Sequence, residues 1–332
     1  MIAERPICIA GAGSIGCYVG GALVAAGRRV SMLARRRVID EMHGHGLRLT
    51  SFEGLDRTIA ADRLALSDDP AIFAQVGIIL VTVKSADTAA VAELIARHAP
   101  NDTAVVSLQN GVGNVAVLRE RLPNHRVLGG MVAFNVMAMG DGRIHRATSG
   151  DIVIARDAAG TAAALSVDHL AVRATDNIDG VQWGKLLVNL NNALNALSGL
   201  PLRTQLAQHE WRRLFADQMA EGLAVLKAEG IRPVSPTPIP AGLTPHLLRL
   251  PNGLFNALLG RTMKIDANAR SSMWEDLQRG RRTEVDYLQG VIVQLAAQHG
   301  IDAPLARRVM ALVKDAEAGG GSPGLTAAQI RG

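Results

Sequence analysis

Between Pro6 and Gly27 the chain carries no charged residue for 22 positions, and six of those positions are glycine, at 11, 13, 16, 20, 21 and 27. An apolar run of this length, with a GxxxG at Gly16 and Gly20, could pass for a membrane span. Its glycine content and its β-branched opening argue otherwise. Only Arg5 precedes it as a positive residue and no cleavage-site pattern follows, so neither a signal segment nor a membrane anchor is expected. Within the run, Gly11-Ala12-Gly13-Ser14-Ile15-Gly16 follows a strand of four apolar residues and opens a helix, the context that gives G-x-G-x-x-G its meaning. Gly11 permits the tight turn. Gly13 lets the backbone approach a pyrophosphate on the helix N-terminal amides, and Gly16 lets helix and strand pack closely. The expectation is a dinucleotide site.

The first half of the chain alternates short apolar runs with helical patterns, the rhythm of βαβ units around a parallel sheet. Strands are expected at 7–10, 29–34, 78–83, 104–108 and 126–132, with further short strands at 143–147 and 152–155 extending the same sheet. Crossover helices are expected over 14–26, closed by Gly27, and over 86–98 and 115–121. From Val181 the rhythm changes to long helical patterns over 182–197, 211–229, 272–278, 284–299 and 306–316. The expected fold is therefore α/β, an N-terminal doubly wound parallel sheet over 1–174 followed by an all-helical domain over 175–332. Six of the 13 prolines fall between Ile231 and Lys264, which forbids a continuous helix there and predicts a surface excursion or an active-site lid. The glycine-rich segment 319–324 is expected to fray.

Composition narrows the function. A hydrophobic fraction of 48% with 20% charged residues supports a large core. The net charge of +5 is spread along the chain without interleaved aromatics, which argues against nucleic acid and fits anionic small ligands. Cys8 and Cys17 form no metal-ligand spacing and no set of pairs, as in a reducing, cytoplasmic compartment.

Cofactor choice is read at the end of the second strand. An acidic residue there accepts the NAD ribose hydroxyls, whereas this chain reads Ala34-Arg35-Arg36-Arg37. Guanidinium groups pair in forked fashion with phosphate, so Arg35 and Arg36 favour the 2′-phosphate of NADP(H). Lys84 and Asn110 end two further strands on the edge that faces a ligand in such sheets, where ammonium and amide can reach ribose or substrate oxygens. In the helical half, Lys185 and Asn189 share a helix face, which Asn192 extends. Lys185 sits among Leu186, Leu187, Val188 and Leu190, and a lysine partly withdrawn from water can polarise a keto oxygen and supply a proton. Ser272 and Asp276 share a face too, but Glu284 points elsewhere on an unbroken helix, so convergence needs a break near Gly280. Taken alone, Ser272 and the Thr283-Glu284 pair are ordinary helix-start signals.

Together these segments resemble the ketopantoate reductase family over nearly the whole chain: GAGSIG at 11–16, VTVK ending at Lys84, QNGVG carrying Asn110, WGKLLVN with Lys185 and Asn189, and SSMWED and RTEVDYL with Ser272 and Glu284. The resemblance implies a Rossmann-type domain binding NADPH and a helical domain closing over ketopantoate, which is reduced to pantoate for pantothenate and coenzyme A synthesis. It implies Lys185 as proton donor, with Glu284 orienting it or the cofactor. Lys84 and Asn110 would then touch cofactor and substrate, and Asn189 and Ser272 would hold the substrate. It brings no metal, and the assembly it allows is a homodimer. Where the family has a second asparagine four residues after the first, this chain has Ala193. Another small 2-keto acid, another two-domain dehydrogenase activity, or a non-catalytic NADPH sensor are the alternatives.

Overall fold

The computed structural model describes residues 5–237, 239–259, 266 and 269–332. The chain divides into two compact units, Met1–Ile178 and Asp179–Gly332. The strands of the first are β1 (Ile7–Ala10), β2 (Val30–Leu33), β3 (Leu47–Ser51), β4 (Asp56–Ile59), β5 (Ala65–Ser67), β6 (Ile78–Val81), β7 (Ala104–Ser107), β8 (Arg126–Val132), β9 (Val136–Gly140), β10 (Arg143–Arg146), β11 (Ile152–Ala155) and β12 (Val172–Thr175).

Eight of them form one sheet in the order β12-β11-β8-β7-β6-β1-β2-β5. From β5 to β8 every pairing is parallel, and the chain winds outward in both directions from the β1/β6 pair. This is the doubly wound order, and its switch point lies between β1 and β6. The central strands are buried along their whole length, as a sheet covered on both faces requires. β11 pairs antiparallel with β8 and carries β12 parallel beside it.

The expectation that 143–147 extends this sheet is corrected. β10 belongs to a second, four-stranded sheet of order β4-β3-β10-β9. The helix Ser14–Ala25 lies between the two sheets. A Cβ on Gly20 would stand 3.0 Å from Ile9 in β1, and one on Gly21 would stand 2.6 Å from Leu47 in β3. A helix enclosed on both sides has no polar face, which accounts for the charge-free stretch. No helix among the described residues is long and apolar enough to cross a membrane. The helix ends at Gly27 (φ +80), with Arg28 N–H donating to Leu23 O and Gly27 N–H to Val24 O.

Every regular element among the described residues of the second unit is a helix. The single helix expected over 182–197 is two, Ile178–Asn189 and Asn191–Ser198. Leu190 between them keeps helical φ and ψ, but its carbonyl accepts a 2.9 Å hydrogen bond from Gln289 Nε2. The break falls at the carbonyl that this side chain occupies.

The proline-rich stretch is packed against its own unit; Pro238 and residues 260–264 lie outside the described residues. Val234 N–H donates to Gly180 O, and a Cβ on Gly184 would fall 1.7 Å from Val234 O. Gly180 and Gly184, four apart, thus give the helix a bare face on which the chain lies. Helices Thr244–Leu248 and Asn252–Leu259 follow, with Arg249 paired to Asp217 at 2.7 Å. The tail is anchored rather than frayed: Ser322 Oγ donates to Ala196 O, Leu325 N–H donates to Leu197 O, and Thr326 and Gln329 form a capping box on Ala327–Arg331.

Candidate active site

In the first unit the register sets the site. Ala10 pairs with Leu33 on one side and with Val81 on the other, and Val81 pairs with Ser107. The carboxyl ends of β2, β1, β6 and β7 are therefore flush, and the segments that leave them emerge along one edge. These carry Arg35, the glycine turn, Lys84 and Asn110.

The glycine turn is held by the strands beside it. Gly11 (φ +106) sits against Val83, whose Cγ1 and backbone N would lie 2.5 and 2.9 Å from an added Cβ. At Gly16 a Cβ would fall 2.4 Å from Gly11 O and 2.7 Å from Thr82 Oγ1. Gly13 differs: a Cβ there would meet no protein atom within 4 Å. Two of the three glycines are demanded by the protein's own packing, and the third by no contact among the described residues. Gly13 is also the N-cap of Ser14–Ala25 and has no side chain to cap it, and Ala12, Ser14 and Ile15 complete the turn. First-turn amides have no intrahelical carbonyl to serve, so this end suits a pyrophosphate on steric and on hydrogen-bonding grounds.

Arg35 is the N-cap of the next helix, Arg36–His45, and Arg35, Arg36 and Arg37 are all exposed. Arg35 lies 3.6 Å from Asp87, Arg36 lies 3.2 Å from Asp40, and Arg37 lies 3.1 Å from Glu41. Such exposed pairs are worth under about 1 kcal/mol and yield readily to a phosphate.

Lys84 and Asn110 are half-buried, and the polar residues around them are deeply buried. Ser85, Thr88, Ser107, Gln109 and Asn114 are each 6% exposed or less. Asn114 Nδ2 donates to Asn110 O at 2.9 Å and to Ser85 Oγ at 3.2 Å. Gln109 Nε2 donates to Thr88 Oγ1 at 2.7 Å and to Val83 O at 3.2 Å, while its Oε1 accepts from Ser107 Oγ. Sequence reasoning singled out Asn110 and passed over its neighbours. The available signal was the density of Ser, Thr, Gln and Asn at and just beyond the ends of two apolar runs, Ile78–Val81 and 104–106.

In the second unit Lys185 and Asn189 lie one turn apart on Ile178–Asn189, with Lys185 half-buried and Asn189 buried. Burial lowers the Lys185 ammonium from its ordinary 10.5 to about 8. Asn192 follows the break at Leu190, and its backbone carbonyl accepts from Ser271 Oγ at 3.0 Å. Ala193 is fully buried. Asn195 makes the polar tie instead, accepting from Ser271 N–H at 2.8 Å through Oδ1 and donating to Leu200 O.

Ser271, not Ser272, caps the helix Ser272–Gln278, accepting from Trp274 N–H. Ser272 is the first helical residue and is exposed. The break near Gly280 is present. Gly280 has φ +58, and Arg281 N–H donates to Asp276 O while Gly280 N–H donates to Leu277 O. Glu284 follows as the half-buried N-cap of Val285–Gln298, and Thr283 Oγ1 accepts from Val285 N–H.

Residues 7–158 match the family described as Ketopantoate reductase PanE/ApbA, and residues 177–317 match Ketopantoate reductase PanE/ApbA C terminal. The chain belongs to the ketopantoate reductase family. Among its relatives, the 2-dehydropantoate 2-reductase of Halobacterium salinarum is 31% identical over 95% of this chain and 99% of its own. That of Archaeoglobus fulgidus is 28% identical over 94% and 97%. The crystal structure of the PanE/ApbA family ketopantoate reductase from Ralstonia eutropha JMP134 superposes with a TM-score of 0.80 at 30% identity, covering 95% of this chain and 99% of its own. A ternary structure of D-mandelate dehydrogenase with NADH and anilino(oxo)acetate shares the fold at 20% identity, TM-score 0.77, over 95% of this chain and 99% of its own. As a member of the ketopantoate reductase family, this protein is a nicotinamide-dependent oxidoreductase.

Proposed function

We propose that the protein reduces 2-dehydropantoate to pantoate with NADPH, with Lys185 as proton donor. The observation that carries the reading is Lys185 itself, a half-buried ammonium brought to about 8 by desolvation on the helix that opens the second unit. The substrate follows the names of the relatives, and the product would feed pantothenate and coenzyme A synthesis in the cytoplasm, with a homodimer as the working assembly.

Bound NADPH would supply the hydride. The chain's residues do the rest. Gly13 and the first-turn amides of Ser14–Ala25 receive the pyrophosphate, and Arg35 and Arg36 receive the 2′-phosphate. As the ketone is reduced, negative charge builds on its oxygen, and the Lys185 ammonium neutralises it by giving up a proton. An ammonium near 8 is largely protonated at neutral pH yet a stronger acid than an ordinary lysine, which suits both halves of that task. Asn189 and Ser272 hold the substrate, Lys84 and Asn110 reach cofactor and substrate oxygens, and Glu284 orients Lys185.

The test is NADPH oxidation across a panel of 2-keto acids. The expected result is a kcat/KM for 2-dehydropantoate at least tenfold above the rest. A better turnover of another acid would reassign the substrate, and no oxidation with any of them would leave a nucleotide-binding protein without this chemistry.

A further inference from the structure

We propose that Asn114 is a positioning residue, whose side-chain amide locks the Lys84 and Asn110 segments together at the carboxyl edge of the sheet. The proposal rests on the reading that Lys84 and Asn110 serve the cofactor and substrate. Asn114 is the first residue of the helix Asn114–Arg121, preceded by Gly113 in the left-handed region (φ +89). Its side chain is 6% exposed and turns back over the loop it has just left. Nδ2 bonds Asn110 O, in the segment after β7, and Ser85 Oγ, in the segment after β6. Oδ1 lies 3.0 Å from Thr88 Oγ1, at the start of the helix that follows Lys84. Ser85 Oγ itself donates to Asn110 O at 3.0 Å. One amide therefore serves both segments, and the carbonyl of Asn110 fixes which of its ends is the nitrogen.

Gln109 forms the second tie, from Ser107 at the end of β7 to Thr88 and Val83 beyond β6. Secondary structure does not require these bonds, since the two strands are already paired up to Val81 and Ser107. What they fix is the chain past the strand ends, where Lys84 and Asn110 stand. A buried network of this kind rigidifies only while every member is satisfied. Removing the amide leaves the Asn110 carbonyl short of a buried donor, and both segments gain freedom.

The experiment is a double-mutant cycle on cofactor affinity, read by titration with NADPH, using Asn114→Ala, Asn110→Ala and the pair. Asn114→Ala is expected to raise the Kd about tenfold, the scale of losing buried hydrogen bonds to two segments whose remaining tie is Ser85 Oγ to Asn110 O. Added to Asn110→Ala it should cost less than it does alone, because one of the two side chains it positions has gone, and the shortfall is the coupling. Thr88→Val, nearly the same shape, should weaken affinity in the same direction and decides the matter if Asn114→Ala does not fold. A pH profile adds a readout that general destabilisation would not move. In Asn114→Asp the new carboxyl can donate to Asn110 O only when protonated, so kcat/KM should fall across the acid range and approach the unmodified value at low pH. Independent, multiplying effects in the cycle, or an unchanged Kd in Asn114→Ala while Asn110→Ala and Lys84→Ala do change it, would overturn the positioning role alone. Unchanged affinity and turnover in both Asn110→Ala and Lys84→Ala would remove the underlying reading and the proposal with it.

Discussion

Thr82 Oγ1 donates a 2.6 Å hydrogen bond to Gly11 O, tying the end of β6 to the turn that follows β1. The bond crosses the switch point of the sheet, where this fold places its ligands. It also explains why Gly16 has no room, since the same hydroxyl and the same carbonyl bound the space a Cβ would need.

The three glycines of the turn should therefore fail in different ways. Gly16→Ala is expected to destabilise the protein, because the neighbours it meets are backbone and a pinned hydroxyl, and thermal melting should show a drop of several degrees. Gly13→Ala meets no protein atom within 4 Å and its φ of −83 suits any residue, so it should cost under about 1 kcal/mol. Its NADPH affinity should nonetheless fall steeply, and Gly13→Val should abolish binding while melting stays cooperative. Unchanged affinity in Gly13→Val would mean that the turn is structural.

Among the described residues Arg35 and Arg36 make single, exposed contacts with Asp87 and Asp40, which yield readily to a phosphate. NADPH is expected to bind more tightly than NADH, and Arg35→Asp should narrow or reverse that ratio by introducing an acceptor for ribose hydroxyls. Titrations of both cofactors against both proteins check it. Equal dissociation constants in the unmodified protein would refute the assignment.

The inner strands of the large sheet, the edge-side β11 and the glycine turn were legible because each is written locally, in four-residue apolar runs such as Ile7–Ala10 and in glycines at fixed offsets. The short edge strands β5 and β12 and the strand order were not, since an edge strand has few buried residues and pairing is set by the fold. The second sheet was not. β4 reads Asp-Arg-Thr-Ile with three of its four residues exposed, and β9 has none buried, so neither carries the alternation that marks a strand. β10 was found but misplaced, because sequence shows a strand and not its partner. In the helical unit the break at Leu190 falls where Gln289, about a hundred positions away, bonds its carbonyl, and Ser271, the cap of Ser272–Gln278, is held by Asn195 and Asn192. The polar ties behind Lys84 and Asn110 escaped for the same reason. Their residue types are visible in sequence, and their convergence is a product of the fold.

Arg212 offers a separate test of how the second unit holds its proline-rich stretch. It is fully buried and donates all five N–H groups, to Leu248 O, Leu206 O, Ala207 O, Leu250 O and Asn252 Oδ1. None of these partners is a carboxylate; the charge is met by carbonyls at the ends of Leu202–Ala207 and Thr244–Leu248 and by the Phe255 ring at 4.1 Å. Arg212→Lys keeps the charge but offers three donors, and should cost about 2–4 kcal/mol in urea unfolding. A loss within 0.5 kcal/mol would show that the guanidinium is not what anchors the stretch.

Lys185 joins activity to stability through one proton. Its ammonium is the acid form, so the rate of the chemical step should hold below about 8 and fall about tenfold per pH unit above it. Lys185→Ala should slow that step by on the order of a hundredfold or more while NADPH still binds. The stability effect has the opposite slope. The folded value of about 8 lies below the ordinary 10.5, so between them the unfolded chain holds more protons and stability rises with pH. Below about 8 both states are protonated and the cost of burying the charge is felt in full. Lys185→Met removes that charge while keeping the apolar stem, so it should melt above the unmodified protein at pH 7, by a margin that shrinks as pH approaches 10.5. A flat alkaline rate profile together with near-normal kcat in Lys185→Ala would move the proton donor elsewhere, and Glu284 would be examined next. A melting temperature for Lys185→Met that is lower at pH 7 and independent of pH would show instead that the ammonium is stabilised where it stands, and the desolvation that tunes it would have to be abandoned.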